Sequence, residues 1–384
     1  MIKKSNYPIK NTKKNMQKTG NTTKANKSEK GKYKHFMLKE INESPQKAKE
    51  LLHLLKQSPS VSKFIDEIYN AENIYITGAG TSFHAGLLGT YYFSKLAHTK
   101  MTTAFAAEFI EKFGDSFTNK DSLIAISQSG ETKDVKNIMD FCEQKKYKKI
   151  LSIVNIVNSS IALRSKLFIP LVCDTEIAVP ATKTFVNEII TFLYLAVTLA
   201  KKKNIKTPIT YKDIEKLPDL LAKTIETTES YAKSAAKFLS KTNDFYSLGY
   251  GLTYPIALEC ALKIKETTYA HCEGMYSSEF KHGPISIVTK DYPVIFTVAK
   301  SNKNVMLGHI NEVLCKGGKV LTVGHKDEEL KKQSNFYIPL PDANQFLTPI
   351  LAVIPLQLLA YYLCLQKGYT PDQPRNISKT VTIA

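Results

Sequence analysis

Short apolar runs punctuate this chain, and the segments between them carry apolar residues every three or four positions. Leu123-Ile124-Ala125-Ile126 is one such run; after it, Val135, Ile138 and Met139 fall on one face of a helix. The runs repeat. Asn73–Gly80 has a counterpart in Asp244–Gly251, 171 residues later, and Leu123–Ser127 matches Val294–Val298 at the same offset. Lys149–Val154 matches Lys319–Gly324 at 170, and Lys166–Leu171 matches Asn335–Leu340 at 169. Runs in the same order at a nearly constant offset indicate an internal duplication. Each is apolar on both faces, as strands of a parallel sheet are when helices cover both sides. Helical spacing marks Gly86–Leu96, Val186–Ala200 and Ile256–Thr267, and a long polar-rich helical stretch, Lys212–Lys241, separates the halves. The pattern predicts an α/β protein of two tandem doubly wound parallel-sheet domains, with ligands at the carboxyl ends of the strands.

Composition narrows the class. A length of 384 residues suits two cores, and 43% hydrophobic content is ordinary for a globular protein. No apolar stretch is read as a membrane span, and the start of the chain is polar rather than signal-like, so a cytoplasmic setting without membrane partners is expected. The six cysteines show no CxxC spacing and no grouping with histidine, which predicts reduced thiols and no metal site. Of the net charge of +18, +10 lies in residues 1–35, which hold eleven lysines and one acid. Residues 1–32 are therefore read as a disordered, lysine-rich tail. It has few aromatics and no arginine, and a solubilising role is preferred to specific nucleic-acid binding. The chain contains only two arginines, Arg164 and Arg375, against 51 lysines. A guanidinium in so lysine-rich a chain suggests a site that needs the planar fork.

Five segments could carry chemistry. In Ser127-Gln128-Ser129-Gly130-Glu131-Thr132, three hydroxyls and an amide crowd a turn that opens a helix. Free backbone N–H groups and the helix dipole suit such a turn to a phosphate; an ordinary N-cap has the same composition. Gly78-Ala79-Gly80-Thr81-Ser82 is a second strand-to-helix turn with hydroxyls, and it lacks the third glycine and downstream acid of a dinucleotide fingerprint. Lys263 and Glu266 are three apart on one helical face, which fits either a reacting pair or a surface ion pair. His282, before Gly283-Pro284, is placed as an acid/base group or as a structural cap. Lys379, near Arg375 in a mildly apolar C-terminal segment, could form a Schiff base if desolvated.

These residues together resemble the isomerase half of glucosamine-6-phosphate synthase (glutamine–fructose-6-phosphate aminotransferase), a pair of sugar isomerase (SIS) domains of flavodoxin-like αβα type. The likeness runs from about Tyr33 to the last residue and includes Gly80-Thr81-Ser82, the 127–132 turn, Glu176-Ile177 with Thr182-Lys183, and Tyr254–Glu259. Its most specific part is the tail Asp372–Thr382, where Gln373-Pro374-Arg375-Asn376 precedes Ser378-Lys379. The resemblance implies a first SIS domain over 33–207, a second over 208–367 and a catalytic tail over 368–384. It implies that Ser127, Gln128, Ser129 and Thr132 hold the phosphate of a hexose 6-phosphate, with Thr81, Ser82, Val179 and Ser378 also lining the site. Lys379 would form the Schiff base, Glu266 would move the proton between C1 and C2 with Lys263 assisting, and His282 would open the ring from a neighbouring subunit of a homodimer. No cofactor and no metal is implied, and the product belongs to amino-sugar biosynthesis.

The sequence departs from that pattern in three places. Val179-Pro180-Ala181-Thr182 lacks a serine usual before the threonine, Tyr250 stands where an arginine is usual, and the cysteine-led glutaminase half is missing. Three readings follow: a synthase fed by a separate glutaminase subunit or by free ammonia, a deaminase running in reverse, and a non-catalytic sugar-phosphate regulator. The tail favours the synthase.

Overall fold

The computed structural model describes residues 29–379, so the lysine-rich segment lies almost wholly outside the described residues, as do the last five. Ten strands are present among them: β1 (Ile74–Gly78), β2 (Thr102–Phe105), β3 (Ser122–Ser127), β4 (Ile150–Val154), β5 (Leu167–Pro170), β6 (Asp244–Gly249), β7 (His271–Tyr276), β8 (Pro293–Val298), β9 (Lys319–His325) and β10 (Phe336–Leu340). They form two five-stranded sheets of order β2-β1-β3-β4-β5 and β7-β6-β8-β9-β10. Every pairing is parallel.

The four repeated runs are β1/β6, β3/β8, β4/β9 and β5/β10, and the order is the same in both halves, so the duplication extends to topology. A fifth pair, β2/β7, escaped the sequence comparison. Gly78 is opposite Phe105 and Gly249 is opposite Tyr276, again 171 apart. Both are edge strands whose sequences, Thr102–Phe105 and His271–Tyr276, include Thr102, Thr103, His271 and Glu273, so neither reads as an apolar run.

Central strands β1, β3, β4 and β8 are buried at every position. One hydrophobic core runs through both halves, built by helices Thr81–Ala97, Lys183–Lys202, Leu217–Leu239, Tyr254–Thr268 and Thr348–Gln366 between the sheets. The outer face of the first sheet packs on Phe109, Val135, Ile138 and Ile161; the outer face of the second packs on Met306, Ile310 and Leu330.

Two expectations change. The polar-rich stretch is two helices, Tyr211–Ile214 and Leu217–Leu239. Pro218 lacks an N–H and sits in the first turn of the second, where none is needed. Lys183–Lys202 and Thr348–Gln366 are long and apolar enough to cross a membrane, contrary to the reading of the sequence. In each, 89% of the most apolar window is buried inside the protein, which accounts for an all-round apolar surface without lipid.

The helix Phe36–Gln57 precedes both sheets and packs on Lys183–Lys202 and Leu217–Leu239. Its N-terminus is closed from the far end of the chain. Asp372 accepts hydrogen bonds from Phe36 N and Met37 N, each 2.9 Å, where a carboxylate also meets the positive end of the helix dipole. The Asp372 carbonyl accepts from Val179 N at 2.9 Å. The C-terminal segment is therefore fastened to the first helix and to the loop after β5.

Candidate active site

The turns after β1 and β3 stand side by side, because those strands pair at the point where the strand order reverses. Gly130, at φ +66°, makes the second turn possible: a Cβ there would lie 1.9 Å from Ser159 Oγ. Ser127 Oγ and Thr132 Oγ1 share a hydrogen bond of 2.8 Å, and Ser127 Oγ accepts from Gly130 N at 3.0 Å. Ser129 Oγ accepts from Glu131 N at 3.1 Å. Thr132 is the N-cap of Lys133–Gln144 but makes no side-chain cap bond, so the helix N-terminus keeps its donors for another acceptor. Gln128 is half-buried beside it. Glu131 turns away to Ser160 N (2.7 Å) and Ser160 Oγ (2.9 Å); chiefly that backbone bond holds its carboxyl below the usual range.

The first turn leads into a buried charged cluster. Lys263 Nζ contacts Glu266 Oε2 at 2.6 Å, Glu259 Oε1 at 3.3 Å and Thr81 Oγ1 at 3.1 Å. Thr81 donates to Glu259 Oε1 at 3.0 Å, and His84 Nδ1 lies 2.7 Å from Glu259 Oε2. Lys263 is only 1% exposed, so this is no surface ion pair. Burial alone would lower its pKa, but Glu259 and Glu266 outweigh burial and raise it. Next to Thr81, Ser82 donates to Glu188 Oε1 at 2.8 Å. Glu188 is fully buried, and burial, aided by Glu259 and Glu176, pushes its carboxyl up to about 8.

Lys379 reaches the loop after β5. Its Nζ donates to Glu176 Oε2 at 2.6 Å and to the Ala178 carbonyl at 2.7 Å. Glu176 also accepts from Thr182 N (2.9 Å) and Thr184 Oγ1 (2.8 Å). Burial acts to raise Glu176, yet the Lys379 ammonium and these donors prevail and hold it below the carboxylate range. Val179 is half-buried beside Ala178, and Ser378 is exposed next to Lys379. Glu188 lies within electrostatic reach of Glu176 in one cluster and of Glu259 and Lys263 in the other.

His282 stands apart from this assembly in the single chain. It follows the one-turn helix Ser277–Phe280 beyond the edge strand β7, and it is exposed. Arg164 pairs with Asp140 (2.6 Å) and Glu143 (2.8 Å) on the surface, and Arg375 lies over the Tyr269 ring at 4.1 Å. Tyr250 packs its ring against Tyr276, with centroids 5.0 Å apart.

Sequence reasoning gave no role to Glu40, His84, Glu176, Glu188 or Glu259. A signal existed for two of them. Glu188 interrupts an otherwise apolar helical stretch, and Glu259 stands four residues before Lys263 on the same face.

Residues 67–198 and 238–367 each match the SIS domain. The chain is 38% identical over 359 residues to the isomerizing glutamine–fructose-6-phosphate aminotransferase of Aquifex aeolicus (strain VF5), which covers 93% of this chain and 59% of that protein. It thus spans about three fifths of the length of the curated relatives it matches. Among solved structures it is similar to the C-terminal domain of glucosamine-fructose-6-phosphate aminotransferase from Francisella tularensis, at 30% identity and a TM-score of 0.80, covering 90% of this chain and 100% of that one. A glucosamine-6-phosphate deaminase from Thermotoga maritima, at 21% identity and a TM-score of 0.72, covers 90% of this chain and 99% of that one and shares the fold. With two matched segments that each contain one five-stranded parallel sheet, the chain belongs to the SIS domain family.

Proposed function

We propose that this chain carries the sugar-converting half of an isomerizing aminotransferase, turning fructose 6-phosphate and ammonia into glucosamine 6-phosphate. The observation that supports it most is the convergence of Lys379 on Glu176 and Ala178, with Glu188 feeling the charges of both Glu176 and the Lys263–Glu259 pair. In this reading the 127–132 turn holds the phosphate through hydroxyls and helix N–H groups. Lys379 attacks the C2 carbonyl as the neutral amine, held by Glu176 and the Ala178 carbonyl, and its two N–H protons leave with the carbonyl oxygen as water. Ammonia displaces the lysine at C2; Glu266 takes the C1 proton and returns it to C2 while the C1 hydroxyl proton passes to the nitrogen, leaving the C1 aldehyde and the C2 amine, with Lys263 compensating the charge. Thr81, Ser82, Val179 and Ser378 line the sugar. His282 opens the ring from a second copy of the chain, which suits its exposed position here. Ammonia is the nitrogen donor at this site, and a cytoplasmic setting fits the five buried cysteines.

Borohydride added with fructose 6-phosphate should tag the peptide carrying Lys379, and a tag on Lys263 or Lys183 instead would overturn the assignment. Synthesis with ammonium, rising with pH as neutral ammonia forms, should be measurable without glutamine. Deamination with no synthesis at high ammonium would assign the reverse reaction, and binding without either would assign a regulator.

A further inference from the structure

The helix Phe36–Gln57 lies outside both sheets, yet one of its faces holds the loop that receives Lys379. Glu40, Glu43 and Lys47 follow at helical spacing. Glu40 Oε1 accepts from Ile177 N at 2.5 Å and from Ala178 N at 3.4 Å. Glu43 Oε2 takes Lys183 Nζ at 2.8 Å, and Lys47 Nζ reaches Asp174 Oδ2 at 2.5 Å. Glu40 thus grips the peptide groups that join Glu176 to Ala178, the two residues whose oxygens bind Lys379 Nζ. It is 2% exposed, and its Oε2 is buried without a hydrogen-bond partner. A carboxyl so placed is costly unless the geometry it enforces is needed.

We propose that Glu40 is a positioning residue for the imine-forming lysine, keeping the Glu176 carboxylate and the Ala178 carbonyl converged on Lys379 Nζ. This rests on Lys379 being the nucleophile. Without Glu40 the Ile177 N–H loses its acceptor, the 176–178 turn relaxes, and the two oxygens no longer meet at one nitrogen. Lys379 then lacks the two oxygens that fix its nitrogen in place for attack. Burial, reinforced by the Glu176 charge, pushes Glu40 up to about 8, so at neutral pH it is a carboxylic acid whose carbonyl oxygen accepts the N–H bond. The charged groups acting on it are Glu176 from the loop, Lys183 from the start of helix Lys183–Lys202 and Lys379 from the tail; Glu43 and Lys47 follow it on its own helix. A glutamine reproduces the shape and the acceptor of that acid; a methionine keeps the volume and removes the acceptor.

The test follows borohydride trapping of fructose 6-phosphate on Lys379 in wild type, Glu40→Met and Glu40→Gln. Glu40→Met should slow trapping by about tenfold or more, as expected for a displaced reacting group, with KM for fructose 6-phosphate within about threefold because the phosphate turn hangs on a different strand. Glu40→Gln should recover trapping to within about threefold of wild type. If Glu40→Met does not fold, Glu40→Asp, one methylene too short to reach Ile177 N, should show the same loss. Equal trapping by wild type and Glu40→Met, or by wild type and Glu40→Asp, overturns the inference, as does a Glu40→Gln protein no better than Glu40→Met. Absence of Lys379 trapping in the wild type would instead overturn the proposed reaction, so the two failures are distinguishable.

Discussion

Replacing Lys263 by methionine separates a buried charged cluster from a surface ion pair by magnitude. An exposed pair three residues apart on a helix contributes roughly 0.3–0.5 kcal/mol. Lys263 is instead 1% exposed, and Glu259, which it also contacts, is 2% exposed. Removing the ammonium leaves the Glu259 carboxylate buried with only His84 and Thr81 as partners. Breaking one partner from a buried pair costs about 3–5 kcal/mol. The cost should fall on helix Tyr254–Thr268, whose amides report it by native-state hydrogen exchange. At about 1.4 kcal/mol per factor of ten, their exchange should quicken by between about a hundredfold and a few thousandfold. The double variant Lys263→Met/Glu259→Gln removes both charges together and should recover most of the loss, a coupling that independent sites do not show. Exchange in Lys263→Met within about threefold of wild type would refute the buried-cluster account. So would a double variant less stable than Lys263→Met. Because its neighbours raise the Lys263 pKa above the ordinary 10.5, the stabilisation is complete below that value and is lost only as pH rises through the higher folded value.

Other parts of the site make separate predictions. Thr132→Val should weaken fructose 6-phosphate binding about tenfold, since a bond to a charged group contributes about 1.5–3 kcal/mol; titration calorimetry giving unchanged affinity would remove the turn from the site. Ser127→Ala should also loosen the turn itself, because Ser127 Oγ holds Gly130 N, and faster exchange of the Gly130 amide would report it. Asp372→Asn presents an NH2 group to one of the two N–H donors at the start of Phe36–Gln57. It should cost about 1–2 kcal/mol there and slow Lys379 trapping, both checked against a wild-type control. Glu188 and Glu40 are pushed up to about 8, so the folded protein binds more protons than the unfolded chain between about 4.5 and 8. Stability should therefore fall as pH rises through that window, and Glu188→Gln should flatten the fall in urea titrations.

The sequence by itself determined the sheets. Buried parallel strands must be apolar on both faces, and a duplication preserves their spacing, so β1, β3, β4 and β5 and their counterparts were legible as runs. Of the four edge strands, β5 and β10 kept apolar runs and were legible, whereas β2 and β7 carry Thr102 and Glu273, which pairing on one side only permits, and were not. The turns after β1 and β3 were legible as strand-to-helix junctions from their glycine and hydroxyl residues, a composition an ordinary N-cap shares. Which charged residues meet there was a matter for the tertiary structure. Glu40 and Glu176 are 136 residues apart in sequence, and Thr81 and Lys263 are 182 apart. No periodicity links them; the packing of helix Phe36–Gln57 and the shared core between the sheets bring them together. The same packing decided the fate of Lys263–Glu266 and of Lys183–Lys202. Spacing on a helix says which side chains share a face, but only the neighbours of that face decide whether it meets water, lipid or protein.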